Sequence, residues 1–122
     1  MNTEVLIGVP ADPIPESVTE NIAAVIREIP DIAFAFLPEM YIPGQMEDAG
    51  PVLILVTALD GKQLDNTMNK LRIGINDIIP DGIALDMLPV PPDSELLPAV
   101  FETGCLVEIN DHNVFTECQK LK

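Results

Sequence analysis

The sequence predicts an α+β fold: a single domain over residues 1–122, with a ferredoxin-like βαββαβ sheet and a C-terminal helix–strand addition. Three observations predict it. The apolar pattern runs strand, helix, strand, strand, helix, strand, followed by a short helix and a last strand. Two stretches carry one apolar stripe at helical spacing. Residues 52–59 are apolar on both faces, as an interior strand must be. Right-handed crossovers then place the two main helices on one face of the sheet. The other face is expected to be open or covered by the C-terminal addition.

The first strand is read from Val5, Ile7 and Val9, which alternate with Leu6 and Gly8 until Pro10 and Pro13 stop it. Pro15 suits the first turn of a helix, where its missing N–H costs nothing. Ser17 and Glu20 also have capping-box spacing. Val18, Ile22, Val25, Ile26 and Ile29 form the stripe of that helix, and Pro30 ends it. Ile32, Phe34 and Phe36 alternate with Ala33, Ala35 and Leu37 as a second strand. Residues 38–51, rich in Pro, Gly and acids, read as a hairpin connection or mobile loop.

After the interior strand at 52–59, Asp60 is placed to cap a helix, with Gln63 three residues on. Leu64, Met68, Leu71, Ile75 and Ile78 form its stripe. Gly74 weakens this helix by up to about 1 kcal/mol relative to Ala. Pro80, Asp81 and Gly82 break it. Ile83, Leu85 and Met87 give one face of a short strand, and Pro89, Pro91 and Pro92 a stiff link. Asp93 or Ser94 caps a short helix holding Leu96, Leu97, Val100 and Phe101, which Gly104 closes. Residues 105–109 read as the final strand, and 113–122 as a last helical turn or a frayed end.

Of the chain's 122 residues, 48% are hydrophobic, far more than a disordered acidic tail would carry. A domain of this length buries roughly two-thirds of its unfolded surface. The 20 acidic residues against 6 basic ones give a formal net charge of −14. No Lys or Arg falls between Glu28 and Gly61 or between Ile73 and Gln119. A field of this size repels nucleic acid and anionic lipid and attracts basic partners. It also keeps an apolar-rich domain soluble. The N-terminus lacks a signal-peptide pattern, and the longest apolar run is too short for a membrane span. Cys105 and Cys118 make no disulfide framework, so the expected compartment is the cytoplasm.

No catalytic constellation is expected. Cys105, Asp111, His112 and Cys118 have no compact zinc spacing and read as a polar turn beside two ordinary thiols. Ser17 and Ser94 are the chain's serines, and both fall at expected helix caps. Gly8 is isolated, and Gly61-Lys62 lacks the upstream glycine of a phosphate loop. Glu47 and Asp48 lack the alternating ligands of a calcium loop. With 4 Phe, 1 Tyr and no Trp, there is no basic–aromatic surface for nucleic acid. Tyr41 differs. Between Met40 and Ile42, and beside Glu39, Glu47 and Asp48, it sits where amphipathic side chains meet a polar rim. Residues Glu39, Met40, Tyr41, Ile42, Glu47 and Asp48 are therefore the expected partner-binding set.

Three stretches carry a family resemblance. They are Val9-Pro10-Ala11-Asp12-Pro13-Ile14-Pro15-Glu16, Pro30-Asp31-Ile32-Ala33-Phe34-Ala35-Phe36-Leu37, and Pro80-Asp81-Gly82-Ile83-Ala84-Leu85-Asp86-Met87-Leu88-Pro89 with the helix at 94–101. Their order and spacing resemble the C-terminal domain of the bacterial SseB (enhanced serine sensitivity) family, over residues 5–109. Two departures stand out. The separate N-terminal domain usual in that family has no counterpart expected within these 122 residues. Where the family tends to end in a proline–aromatic stretch, this chain has Gly104-Cys105-Leu106-Val107-Glu108-Ile109. The resemblance implies an α/β module without known cofactor, metal or catalytic residues, sometimes found as an immunity protein beside bacterial toxins.

The function expected is a non-enzymatic acidic protein-binding module, such as an immunity-type inhibitor of a basic bacterial toxin. It would need no cofactor and bind neither nucleic acid nor membrane. The alternatives are an SseB-type regulatory or metabolic protein and an acidic secretion chaperone.

Overall fold

The computed structural model describes residues 5–11, 14–45, 49–83 and 85–120. In chain order its elements are β1 (Leu6–Gly8), α1 (Glu16–Arg27), β2 (Ile32–Phe36), β3 (Glu39–Tyr41), β4 (Gly50–Thr57), α2 (Gly61–Ile78), β5 (Asp86–Val90), α3 (Leu97–Thr103), β6 (Leu106–Ile109) and α4 (His112–Lys120). Among the described residues, no helix is long and apolar enough to cross a membrane.

β4 is interior, as its two-sided pattern requires. It pairs antiparallel with β2 on one side and parallel with β5 on the other. Leu53 and Leu55 point to one face of the sheet, and Val52, Ile54 and Val56 to the other. α1 and α2 share the first face. Val18, Ile22 and Ile26 meet Met68, Leu71 and Ile75 over Ile32, Ala35, Leu53 and Leu55. The two helices approach closely where Gly74 faces Val25: a Cβ added there would lie 2.9 Å from Val25 Cγ1.

α3 and α4 cover the second face, so the sheet is sandwiched between helix layers. Phe34 and Phe36 of β2 meet Phe101 of α3 and Phe115 of α4, with ring centroids 5.1 to 6.4 Å apart. These are all 4 phenylalanines of the chain. Their edge-on and tilted contacts add to the burial of about 1.5–3 kcal/mol that each such side chain supplies. A shift of register between Ile32 and Phe34 turns Ala33 and Phe34 to this face while Ile32 stays on the other. Ala33 O then accepts from both Asn110 N and Asp111 N, at 2.8 and 2.9 Å.

The C-terminal end of α1 is tied to the chain after β6. Asn110 Nδ2 donates to Ile26 O, Ile29 O and Ile32 O at 2.8, 3.0 and 3.0 Å. Arg27 pairs with Glu108 through Nε at 2.8 Å and the terminal guanidinium nitrogen at 2.5 Å. An open helix end thus finds its acceptors' partners some eighty residues later in the chain.

Several expectations are corrected. The observed pairing β1-β3-β4-β2-β6, with β5 beside β4, is not the ferredoxin-like order. That order puts the first strand inside the sheet. Here β1 is three residues long with Leu6 exposed, whereas β2 is buried at all five positions, so β2 takes the interior place. β5 lies directly beside β4 and parallel to it, from Val52↔Asp86 to Val56↔Val90. Residues 38–51 are more than a connection, since β3 lies within them. Pro89 falls inside β5 and not in a link. β5 pairs with β4 alone, and an edge strand tolerates a residue that cannot donate on its open side. The C-terminal stretch forms a nine-residue helix, because Val114, Phe115 and Cys118 lie on one side of it and close the aromatic face. Asp60 holds the N-cap position of α2 but makes no side-chain cap, and Ser17 lies within α1.

Candidate functional site

The site arises from the way β2 and β3 share one line. The two strands are separated only by Leu37 and Pro38, yet both pair with β4 in one unbroken register, from Phe34↔Val56 to Met40↔Gly50. Val52 N donates to Pro38 O at 3.0 Å and bridges the junction. The opposite edge of this long strand is divided between two others. β6 pairs with β2, ending at Phe36↔Leu106, and β1 pairs with β3, ending at Gly8↔Glu39. Leu37 N donates to Cys105 O at 2.8 Å, and among the described residues no strand completes the edge beyond it until Gly8.

The chain leaves β1 toward α1 on one face and reaches β6 from α3 on the other. Connections that part to opposite faces leave a crevice between the carboxyl end of β1 and the amino end of β6. A hollow of about 230 Å³ opens there. Val9, Pro10, Ile14, Leu37, Leu106 and Val107 make most of its wall. Thr19 of α1, Pro51 and Cys105 complete it with Glu39, the one charged side chain among its described lining residues. A second hollow of about 240 Å³ lies beyond β3, between Leu6, Ile7, Met40, Tyr41 and Ala49, and Glu39 lines it as well.

Glu39 is left open by its neighbours. Its cross-strand partners are Gly8, which has no side chain, and Pro51, which has a short one. Among the described residues its carboxylate has no ion-pair partner; the ion pairs found are Arg27–Glu108 and Lys120–Glu117. Around it lies exposed apolar surface. Val9 is 66%, Leu6 48% and Leu106 40% exposed. Large exposed hydrophobic side chains that gather at one place mark an interaction surface, whereas isolated ones do not.

The expected partner-binding set is only partly brought together. Glu39 forms the wall shared by the two hollows. Tyr41 is half-buried opposite Leu6 and faces the second hollow. Met40 also lines that hollow but packs against the aromatic side of the core with Ile7, so its burial is largely structural. Ile42 is half-buried past the end of β3 and lines neither hollow among their described walls. Glu47 and Asp48 lie outside the described residues. Val9, Ile14 and Leu106 were not anticipated as site residues. Their apolar character reads in sequence as ordinary strand or helix-entry material; the exposure of Val9 and Leu106 and the place of half-buried Ile14 in the same wall distinguish them.

The residues weighed as a metal set are held in separate roles. Asp111 accepts from Val114 N at 3.1 Å and caps α4, while His112 is exposed in the first turn of that helix. Cys118 is buried and its thiol donates to Pro92 O at 3.3 Å. Burial pushes the Cys118 thiol above its usual range, and Glu117 adds to the effect. Cys105 is half-buried in the wall of the first hollow. Among the described residues, no three His, Cys, Asp or Glu side chains come together as metal ligands.

No family model, curated protein or solved structure matches this chain.

Proposed function

We propose that the chain is a non-enzymatic protein-binding module for a basic partner, acting from the cytoplasm by occlusion. One observation carries the reading. In a chain of net charge −14, the exposed apolar side chains Val9 and Leu106 flank a hollow whose one charged wall residue, among those described, is an acid. The two features divide the work of binding. The charge raises the encounter rate with a basic surface, and contacts in the hollow set how long the complex lasts. The resemblance to the SseB C-terminal domain belongs to the same proposal, with an immunity-type inhibitor of a basic toxin as its most concrete form. An acidic cover over a basic catalytic cleft stops the toxin without chemistry of its own.

The test is a variant carrying Val9→Asp and Leu106→Asp. Both side chains are exposed, and surface changes of this kind usually alter stability by no more than about 0.5 kcal/mol. The protein, immobilised, is used to recover its partner, and the affinity of the purified pair is then measured. The variant should melt near the wild-type temperature and bind at least about tenfold more weakly, the loss of roughly 1.4 kcal/mol of apolar contact. Undiminished affinity in the folded variant would remove the hollow from the binding surface.

A further inference from the structure

We propose that the hollow between β1 and β6 is an arginine pocket: it takes one arginine side chain of the basic partner, stem against the apolar wall and guanidinium on Glu39. This deepens the binding-module reading and rests on it. An occupant covers Glu39 and displaces water from the carboxylate on this side, while the second hollow stays open on the other. A desolvated carboxylate without a partner is costly, and an aliphatic or aromatic anchor brings none. The occupant must therefore bring a cation to this wall. Among the described residues the chain itself supplies none there, since no Lys or Arg lines the hollow.

The rest of the wall selects the stem. Val9, Ile14, Leu37 and Leu106 are apolar, and long cationic side chains lay their methylenes along such surface while keeping the charge at a polar rim. The wall also favours guanidinium over ammonium. The lining is largely apolar, and guanidinium is the more weakly hydrated of the two cations. With Gly8 and Pro51 as its cross-strand neighbours, Glu39 leaves room for the paired bonds of the guanidinium fork. The amino end of α1 near Ile14 and Thr19 opposes a cation, and Glu16 in its first turn offsets that field.

The probe is Nα-acetyl-arginine amide, titrated into the isotope-labelled full chain while backbone amide resonances are followed. Three controls run beside it: the lysine derivative, the citrulline derivative (the same shape without the charge) and the norleucine derivative (the stem alone). The arginine derivative should cause saturable shifts at Val9, Leu37, Glu39 and Leu106, with a dissociation constant on the order of millimolar for so small a ligand. Citrulline and norleucine should bind about tenfold or more weakly, and lysine measurably more weakly than arginine. Glu39→Gln should erase the preference for arginine over citrulline while leaving the melting curve in place.

Equal binding of arginine and citrulline by the wild type overturns the proposal, without reliance on any variant. So does equal binding of arginine and lysine, or a shift pattern spread over the acidic surface. The module reading is judged separately. If partner affinity still falls in the Val9→Asp, Leu106→Asp variant while the arginine probe fails, the hollow binds the partner by another group and only the arginine assignment is lost.

Discussion

Gly74→Ala offers the sharpest test of how α1 and α2 meet. Two effects oppose each other. In a helix interior Ala is better than Gly by about 1 kcal/mol, so propensity alone makes the variant more stable. Against this, the new Cβ would lie 2.9 Å from Val25 Cγ1 and 3.7 Å from Cγ2. Valine in a helix is held near one χ1 rotamer, so its methyls cannot simply swing aside. Inserting a methyl into a filled site typically costs about 1–3 kcal/mol. The overlap should match or exceed the gain, and Gly74→Ala should destabilise the protein by up to about 2 kcal/mol. Val25→Ala removes the obstructing methyls and, alone, costs roughly 1 kcal/mol because Val25 is only half-buried. In the double variant the overlap is gone and the helix propensity remains. Urea unfolding of the four proteins gives the cycle, and the double variant should be more stable than the sum of the singles by about 1–3 kcal/mol. A Gly74→Ala protein stabilised by about 1 kcal/mol, with no coupling to Val25, would refute the close approach of these helices.

Asn110→Ala removes the donor to Ile26, Ile29 and Ile32 and should cost about 1–3 kcal/mol, read as a lower urea midpoint. Asn110→Asp should be worse at neutral pH, because it sets a carboxylate against three carbonyl oxygens. Cys118 has its pKa raised in the folded chain, mainly by burial, so its contribution is intact below the ordinary thiol range near 8.5 and is lost as pH rises beyond it. Unfolding free energy should therefore fall more steeply above that pH in the wild type than in Cys118→Ala. Native Cys105 should react with a thiol reagent well before Cys118.

What could be read from the sequence was what period and composition govern. The stripe at Leu64, Met68, Leu71 and Ile75 announced α2, and the two-sided run at 52–59 announced an interior strand, because each follows from a local burial pattern. Strand order was not local. It depended on which strand would occupy the inside, and Pro38 concealed that β2 and β3 form one line along β4. Gly74 read as a weakness because propensity is a property of one helix, whereas its neighbour Val25 lies on another. The candidate site was legible only at Glu39 and Tyr41. The hollow joins residues near positions 9, 37 and 106, and their proximity is created by the division of one strand edge between β1 and β6.

An acidic surface that guides a basic partner onto the two hollows on either side of Glu39 is the core of the proposal. Its most direct test is the pair of rate constants for binding the recovered partner at low and physiological ionic strength, in the wild type, Glu39→Gln and Tyr41→Ala. Steered association can approach about 10⁸–10⁹ M⁻¹s⁻¹ at low salt and falls steeply as salt rises. The wild type should show that fall, and Glu39→Gln and Tyr41→Ala should both chiefly dissociate faster. An association rate indifferent to salt, with neither variant changing either rate, would contradict the account and leave the acidic surface a role in solubility alone.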